Sequence, residues 1–226
     1  MKTRIITIEG IDGSGKTVQF ELLASRLEAL GFSVARRGYP VYESFFGEQI
    51  GKFLSGSGGV LATDVDQRSM ALWFALDRFN DLKDYADGES DFLLINRYVL
   101  SNAVYQSVRD TDCCKPDIVD WVFELEYDKL GLPRPDMNVF LAVEAGCAKA
   151  NVGKKGFRDY VGSGSDVYER SKTLQQRASD KYRELAERFD DIVIVECSEN
   201  GEMRPIEAIS DGIMQLLDER GLLKKE

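Results

Sequence analysis

The sequence predicts an α/β fold, a five-stranded parallel sheet with helices on both faces. Three observations lead there. Short apolar runs alternate with helical stretches along the whole chain. The first run, Arg4 to Glu9, opens directly into Gly10-Ile11-Asp12-Gly13-Ser14-Gly15-Lys16-Thr17, which fits the phosphate-loop pattern of Gly, four residues and Gly-Lys-Thr. Finally, 226 residues with 43% hydrophobic content suit one domain, residues 1–226, with an ample core.

Arg4 to Glu9 reads as a buried strand because its apolar run is β-branched. The glycines that follow let the backbone curl so that N–H groups face phosphate oxygens. Lys16 adds a cation at the outer phosphates, and the Thr17 hydroxyl suits Mg²⁺. Lys16 to Leu30 reads as a helix with Phe20, Leu23, Leu27 and Leu30 near one face, and its N-terminus faces the same anion. Gly31 ends it. Ser33 to Arg37 is a second strand, and Gly38 to Tyr42 a loop, since the residue before proline is pushed out of helix. Phe45 to Leu54 is a short helix closed by the flexible run Ser55 to Gly59. Asp64 is the expected N-cap of a long helix reaching about Tyr85, with Met70, Phe74 and Phe79 in its stripe. Phe92 to Ile95 is a continuous apolar strand. Ser101 to Val108 and Asp117 to Lys129 read as helices. The stiff connector Gly131 to Pro135 leads into a strand from Met137 to Val143. Residues 144–166 are rich in Gly, Lys and Ser with weak periodicity. A helix from about Tyr168 to Phe189, a strand from Ile192 to Val195 and a helix from Pro205 to Glu219 complete the chain. Ligands should gather at the carboxyl ends of such parallel strands.

Composition narrows the chemistry. A net charge of −10 argues against general nucleic-acid binding, so phosphate-binding cations must be local. The chain has no His, which excludes imidazole acid–base chemistry and His metal sites. The cysteines Cys113, Cys114, Cys147 and Cys197 form no C-x-x-C pair and suggest no disulfide framework. Met1 leads almost directly into the first strand, which leaves no room for a signal peptide, and no apolar run is long enough to span a bilayer. A reduced, cytoplasmic setting is the expectation.

Several constellations carry chemistry. Phe74 and Arg78 are one helical turn apart and could hold a flat heteroaromatic ring between stacking and hydrogen bonding. On spacing alone, a core Phe and a surface Arg beside Asp77 is the weightier reading. Asn96-Arg97 follows the strand from Phe92 and faces the phosphate loop. Asp at position 96 would be the usual Mg²⁺ holder, whereas Asn is neutral. Arg97 could fork onto two phosphate oxygens or sit in a surface ion pair. Asn102 and Gln106 share one helix face, and Ser101 and Tyr105 another, so amides there could read a base edge and a ring could wall off a sugar. Lys149, Lys154, Lys155 and Arg158 make a local basic excess that reads equally as a lid over triphosphate or as a solvated loop. Asp166 and Glu169 flank Tyr168 at a helix start, where carboxylates also serve as caps. Asp12, inside the phosphate loop, is costly beside phosphates unless a metal or ligand hydroxyl accepts it.

Taken together, these residues resemble the thymidylate kinase (dTMP kinase) family of phosphate-loop nucleoside monophosphate kinases. The resemblance runs from about Ile5 to Phe189. It rests on Glu9 to Thr17, Leu72 to Arg78, Arg97 to Gln106, Gly131 to Asp136 and Asp166 to Arg170. It implies a P-loop NTPase fold with a mobile basic lid at about 144–166, and transfer of the ATP γ-phosphoryl to dTMP with Mg²⁺. The phosphate-binding set would be Gly10, Ile11, Asp12, Gly13, Ser14, Gly15, Lys16 and Thr17. Phe74 would stack on thymine, Arg78 would reach O4, Asn102 the N3 side, and Tyr105 would disfavour a 2′-hydroxyl. Asp12 would engage the 3′-hydroxyl or Mg²⁺, and Arg97 the acceptor phosphate. Tyr39 and Tyr42 would wall the acceptor pocket, with Ser101, Gln106 and Tyr168 completing the dTMP-binding set. Metal ligands would be Thr17, Asp12 and Glu169. Some relatives carry an Arg where this chain has Gly13, so the catalytic cation would come from Lys154, Lys155 or Arg158. Two departures, Asn96 for Asp and Val41 for Arg, weaken the expected metal and acceptor contacts, with Arg97 and Arg78 as compensation. Another deoxynucleoside monophosphate such as dUMP as acceptor, or a nucleotide-binding regulator of little turnover, are the alternatives. The resemblance also implies a homodimer; the helix with Trp121, Val122, Phe123 and Leu125 is a candidate contact, and those residues read equally as core.

Overall fold

The computed structural model describes residues 2–109, 117–152, 168 and 171–224. Five strands, β1 (Arg4–Glu9), β2 (Val34–Gly38), β3 (Phe92–Asn96), β4 (Met137–Ala142) and β5 (Ile192–Glu196), form one parallel sheet in the order β2-β3-β1-β4-β5. β1 is central, with Ile6 beside Leu94 on one side and Met137 on the other. Ile6, Ile8, Leu94, Ile95, Val139 and Phe140 are all fully buried. Burial on both faces explains why these strands read as continuous apolar runs without alternation. Polar Thr7 is tolerated because its hydroxyl donates to Asn138 Oδ1 at 2.7 Å inside the sheet.

Helix α1 (Lys16–Ala29) follows the phosphate loop, and α2 (Phe45–Ser55) is capped by Ser44, whose Oγ accepts from the Gly47 amide. The third helix departs from expectation at its start. A 3₁₀ turn, Ala62–Asp64, comes first, and α3 (Gln67–Leu82) is capped by Asp66, whose Oδ1 accepts from the Arg68 and Ser69 amides. Asp64 closes the 3₁₀ turn onto the Leu61 amide instead. Extended backbone at Val65 separates the two, which apolar spacing alone does not reveal. The inner stripe of α3 is Met70, Phe74 and Arg78, at intervals of four. Phe79 is exposed, because five residues beyond Phe74 turn a helix by roughly 140°.

Helix α4 is Val99–Val108 and α5 is Val119–Phe123. The helix expected over Asp117 to Lys129 changes register at Glu124, and Glu124–Lys129 is π-helical, with the Leu130 amide donating to the Leu125 carbonyl at 2.9 Å. α6 (Ala145–Val152) occupies the first part of the segment expected as a flexible lid. α7 is Lys172–Arg188, capped by Ser171, and α8 is Ile206–Glu219. A small antiparallel pair, β6 (Ser198–Glu199) and β7 (Glu202–Met203), was not expected, since two-residue strands carry no periodicity. α1 packs on α8, while α3, α4, α5 and α7 pack among themselves, so the sheet has two covering layers. No helix among the described residues is long and apolar enough to cross a membrane.

Candidate active site

The loops after β1, β2 and β3 meet at the carboxyl edge of the sheet, around a cavity of about 650 Å³. One end is the phosphate loop. Gly10, Gly13 and Gly15 all have positive φ, which curls the backbone as the motif requires. Lys16 is buried and folds back over the loop, its Nζ donating to the Gly10 and Ile11 carbonyls at 3.0 and 2.6 Å. The exposed Thr17 lines the cavity. A Cβ at Gly13 would overlap the Ala148 carbonyl, and Asn151 Nδ2 donates to the Gly13 carbonyl at 3.1 Å. Helix α6 is thus packed directly on the loop, and in this arrangement no side chain fits at position 13.

Behind the loop lies a polar cluster. Asp12 pairs with Arg97 Nη2, and its other oxygen accepts from Gln175 Nε2 at 3.0 Å. Its carboxylate is therefore accommodated by this chain's own donors, where the sequence suggested a metal or ligand hydroxyl. Arg97 sits at φ 63, a conformation rare for arginine. Burial works against its charge, but Asp12 together with Tyr105 and Tyr182 more than reverses this and holds the guanidinium well above its ordinary pKa. Gln175 uses its full hydrogen-bonding capacity. Nε2 also donates to the Tyr168 carbonyl at 3.0 Å, while Oε1 accepts from the Asp12 amide and the Tyr105 hydroxyl, both at 3.1 Å. Tyr105 and Tyr168 stack with ring centroids 6.0 Å apart. Glu9 is fully buried beneath. It accepts from the Tyr98 amide at 2.7 Å and from the Ser101 hydroxyl, fixing the start of α4. Burial pushes its pKa up, outweighing those hydrogen bonds and the nearby Arg97 and Lys16 charges.

The far end of the cavity is lined by Tyr39, Phe74, Arg78, Asn102, Tyr105 and Gln106. Arg78 is only 2% exposed, and its Nε and Nη2 fork onto Glu126 Oε2 and Oε1, both at 2.6 Å. It is therefore not the surface residue that spacing favoured. Asn102 is 3% exposed and Gln106 1% exposed, yet Asn102 Oδ1 and Gln106 Nε2 have no hydrogen-bond partner among the described residues. Buried polar atoms are rarely left so, and these two belong to side chains on the cavity wall. Asn96, which lines the same cavity, also has an Oδ1 without a partner among the described residues.

The sequence comparisons now bear on this geometry. A family profile described as thymidylate kinase matches residues 8–207. The chain belongs to the thymidylate kinase family. It is 38% identical over 186 residues to a thymidylate kinase of Mycobacterium tuberculosis, covering 80% of this chain and 85% of that protein. It is 33% identical over 190 residues to a probable thymidylate kinase of Methanocaldococcus jannaschii, covering 84% and 85%. The fold matches that of thymidylate kinase from Candida albicans, with a TM-score of 0.74 at 18% identity over 99% of this chain and 94% of that one.

Among the residues that the thymidylate kinase resemblance singled out, Asp12, Lys16, Thr17, Tyr39, Tyr42, Phe74, Arg78, Arg97, Ser101, Asn102, Tyr105, Gln106 and Tyr168 all line one cavity. Lys154, Lys155, Arg158, Asp166 and Glu169 lie outside the described residues. Some roles need revision. The Ser101 hydroxyl is committed to Glu9 and to Tyr182, 3.0 Å away, so it braces the wall. Arg78 is held by Glu126 and cannot stand in for an arginine at Val41. Val122 is part of the core, and Phe123 packs on Phe189 at 5.5 Å, so that helix serves internal packing.

Glu126 and Gln175 were missed, because each lies far in sequence from the residues it braces. So was a third lobe of the cavity, lined by Val18, Gln19, Met203, Arg204, Ile206 and Ile209 beside the phosphate loop. Its only sequence signal was the amphipathic start of the last helix.

Proposed function

We infer that the chain is a dTMP kinase, transferring the γ-phosphoryl of ATP to dTMP to give dTDP and ADP. The observation that carries this is the pattern at the cavity's far end. Arg78 supplies donors, Asn102 Oδ1 an acceptor, and Gln106 Nε2 a donor, with the two amides one turn apart on α4. Thymine offers the complement along one edge: O4 accepts, N3–H donates and O2 accepts. Phe74, on the same wall, adds a ring for stacking. The opposite end is a phosphate loop, and the lobe beside it suits the donor's base.

Phosphoryl transfer needs alignment and charge neutralisation more than a strong base, which fits a site without His. The loop amides and Lys16 hold the donor phosphates. Arg97, paired with Asp12, would hold the acceptor phosphate. Mg²⁺ is the proposed metal. Thr17 Oγ1 and the unpartnered Asn96 Oδ1 are hard oxygen donors on the same cavity, suited to an ion whose other ligands are phosphates and waters. When bound it would draw negative charge from the β- and γ-phosphates. Catalytic cations from a lid over about 144–166, a single kinase domain, a cytoplasmic setting and a homodimer are part of the same proposal.

The test is ADP release with ATP and Mg²⁺ across dTMP, dUMP, dCMP, dAMP and dGMP, over a Mg²⁺ titration. Selective turnover of dTMP is the expected result. Absence of acceptor-dependent ADP release at every Mg²⁺ concentration would sink this reading.

A further inference from the structure

We propose that Glu126, a residue outside the cavity lining, is the positioning residue that sets which pyrimidine edge the acceptor pocket reads. This rests on the dTMP kinase reading above and names the source of its base specificity. Glu126 is 0% exposed and holds two of the wall residues at once. Its Oε2 accepts from Arg78 Nε, and its Oε1 accepts from both Arg78 Nη2 and Asn102 Nδ2, the last at 2.8 Å. The Ala71 carbonyl accepts from the same Asn102 Nδ2 at 3.0 Å.

Two acceptors flanking one atom of the Asn102 amide require that atom to be nitrogen. The oxygen must then be the atom left without a partner among the described residues, and it is. An acceptor at that point matches the N3–H of thymine or uracil and opposes the bare N3 of cytosine. The same carboxylate takes Nε and Nη2 of Arg78, so Nη1 is the guanidinium nitrogen outside the fork. A donor there matches O4 and opposes the amino group of cytosine. One buried carboxylate therefore sets the polarity of the Asn102 amide and the direction of the Arg78 guanidinium, which donates from every nitrogen. The π-helical register of Glu124–Lys129 is the local distortion that accompanies this placement, and such distortions recur at functional sites.

The experiment compares kcat/KM for dTMP, dUMP and dCMP in the wild type and in Glu126→Gln. Gln keeps the shape but turns an amide NH₂ toward a donor of Arg78 or Asn102. The expected result is a fall of about tenfold or more in the dTMP-to-dCMP ratio, in line with the worth of one paired edge contact. The dTMP-to-dUMP ratio should stay near the wild-type value, because the carboxylate's partners read O4 and N3 and not the methyl group. A loss shared equally by all acceptors would assign Glu126 a structural role only and overturn the proposal. If Glu126→Gln does not fold, Glu126→Asp replaces it, since it keeps the buried charge and both reading residues but draws the carboxylate back by one methylene from Arg78 and Asn102. That variant should also lower the dTMP-to-dCMP ratio, and a retained wild-type ratio would overturn the proposal. Wild-type turnover on dTMP separates the two failures. Its absence refutes the kinase reading, whereas its presence with an unchanged ratio in the variants refutes the role of Glu126 alone.

Discussion

At the scale of single residues, the site is governed by side chains that orient others. Gln175 joins the phosphate loop, α4 and the Tyr168 segment through four hydrogen bonds. Removing it leaves the Asp12 amide and carboxylate and the Tyr105 hydroxyl short of a partner in a partly buried place. Gln175→Ala should lower kcat/KM for dTMP by about ten- to a hundredfold, as small misplacements of reacting groups do. Gln175→Glu should cost more, since it sets a second carboxylate against Asp12. Steady-state kinetics on both variants decides this, and an unchanged kcat/KM for Gln175→Ala would show that Asp12 is held in place without Gln175. Cys197 shows the same influence of surroundings on a group outside the site. Burial pushes its thiol up to about 12, so it stays a thiol at neutral pH.

At the scale of elements, caps and register decide where helices present their chemistry. Asp66, and not Asp64, accepts the first free amides of α3. Asp66→Ala should destabilise the fold by about 1 kcal/mol. Asp64→Ala should cost no more than about 0.5 kcal/mol, as for most surface changes. Urea titrations of both variants measure the difference, and equal losses would contradict the assignment of the cap. The start of α3 matters beyond stability, because its phase brings Phe74 and Arg78 to the cavity and turns Phe79 outward. The π-helical turn after α5 has a comparable effect on Glu126. At the start of α4, Glu9 accepts from the backbone amide of Tyr98 and the hydroxyl of Ser101, which fixes the helix that carries Asn102 and Gln106.

At the scale of the whole molecule, the sheet order makes β1 central and gathers three loops at one edge. Outside that edge, Leu72 and Phe79 are exposed seven residues apart on α3, and Phe45 is 65% exposed on α2. This apolar surface supports the proposed homodimer through α3, in place of the helix around Trp121. Light scattering at micromolar concentration should give twice the 25.4 kDa chain mass, and Leu72→Glu with Phe79→Glu should halve it. A monomer in the unaltered protein refutes the dimer.

The sequence by itself determined the parallel α/β sheet and the phosphate loop, which rest on local signals: continuous apolar runs and glycines at fixed spacing. The residues around the acceptor pocket were named by the resemblance to thymidylate kinases, since pairs one helical turn apart read equally well as ordinary core and surface positions. The sequence also marked residues 144–166 as a distinct segment, although α6 shows its first part to be ordered helix against Gly13. Only the tertiary structure decided how the site is braced. Glu126 meets Arg78 across 48 positions and Gln175 meets Asp12 across 163, and no local pattern encodes such pairs. Whether Arg78 lies at the surface or in the wall, and which atom of Asn102 is left without a partner among the described residues, follow from those long-range partners. Burial and hydrogen-bond satisfaction belong to the assembled fold, and they turn a list of polar residues into a directional reading head.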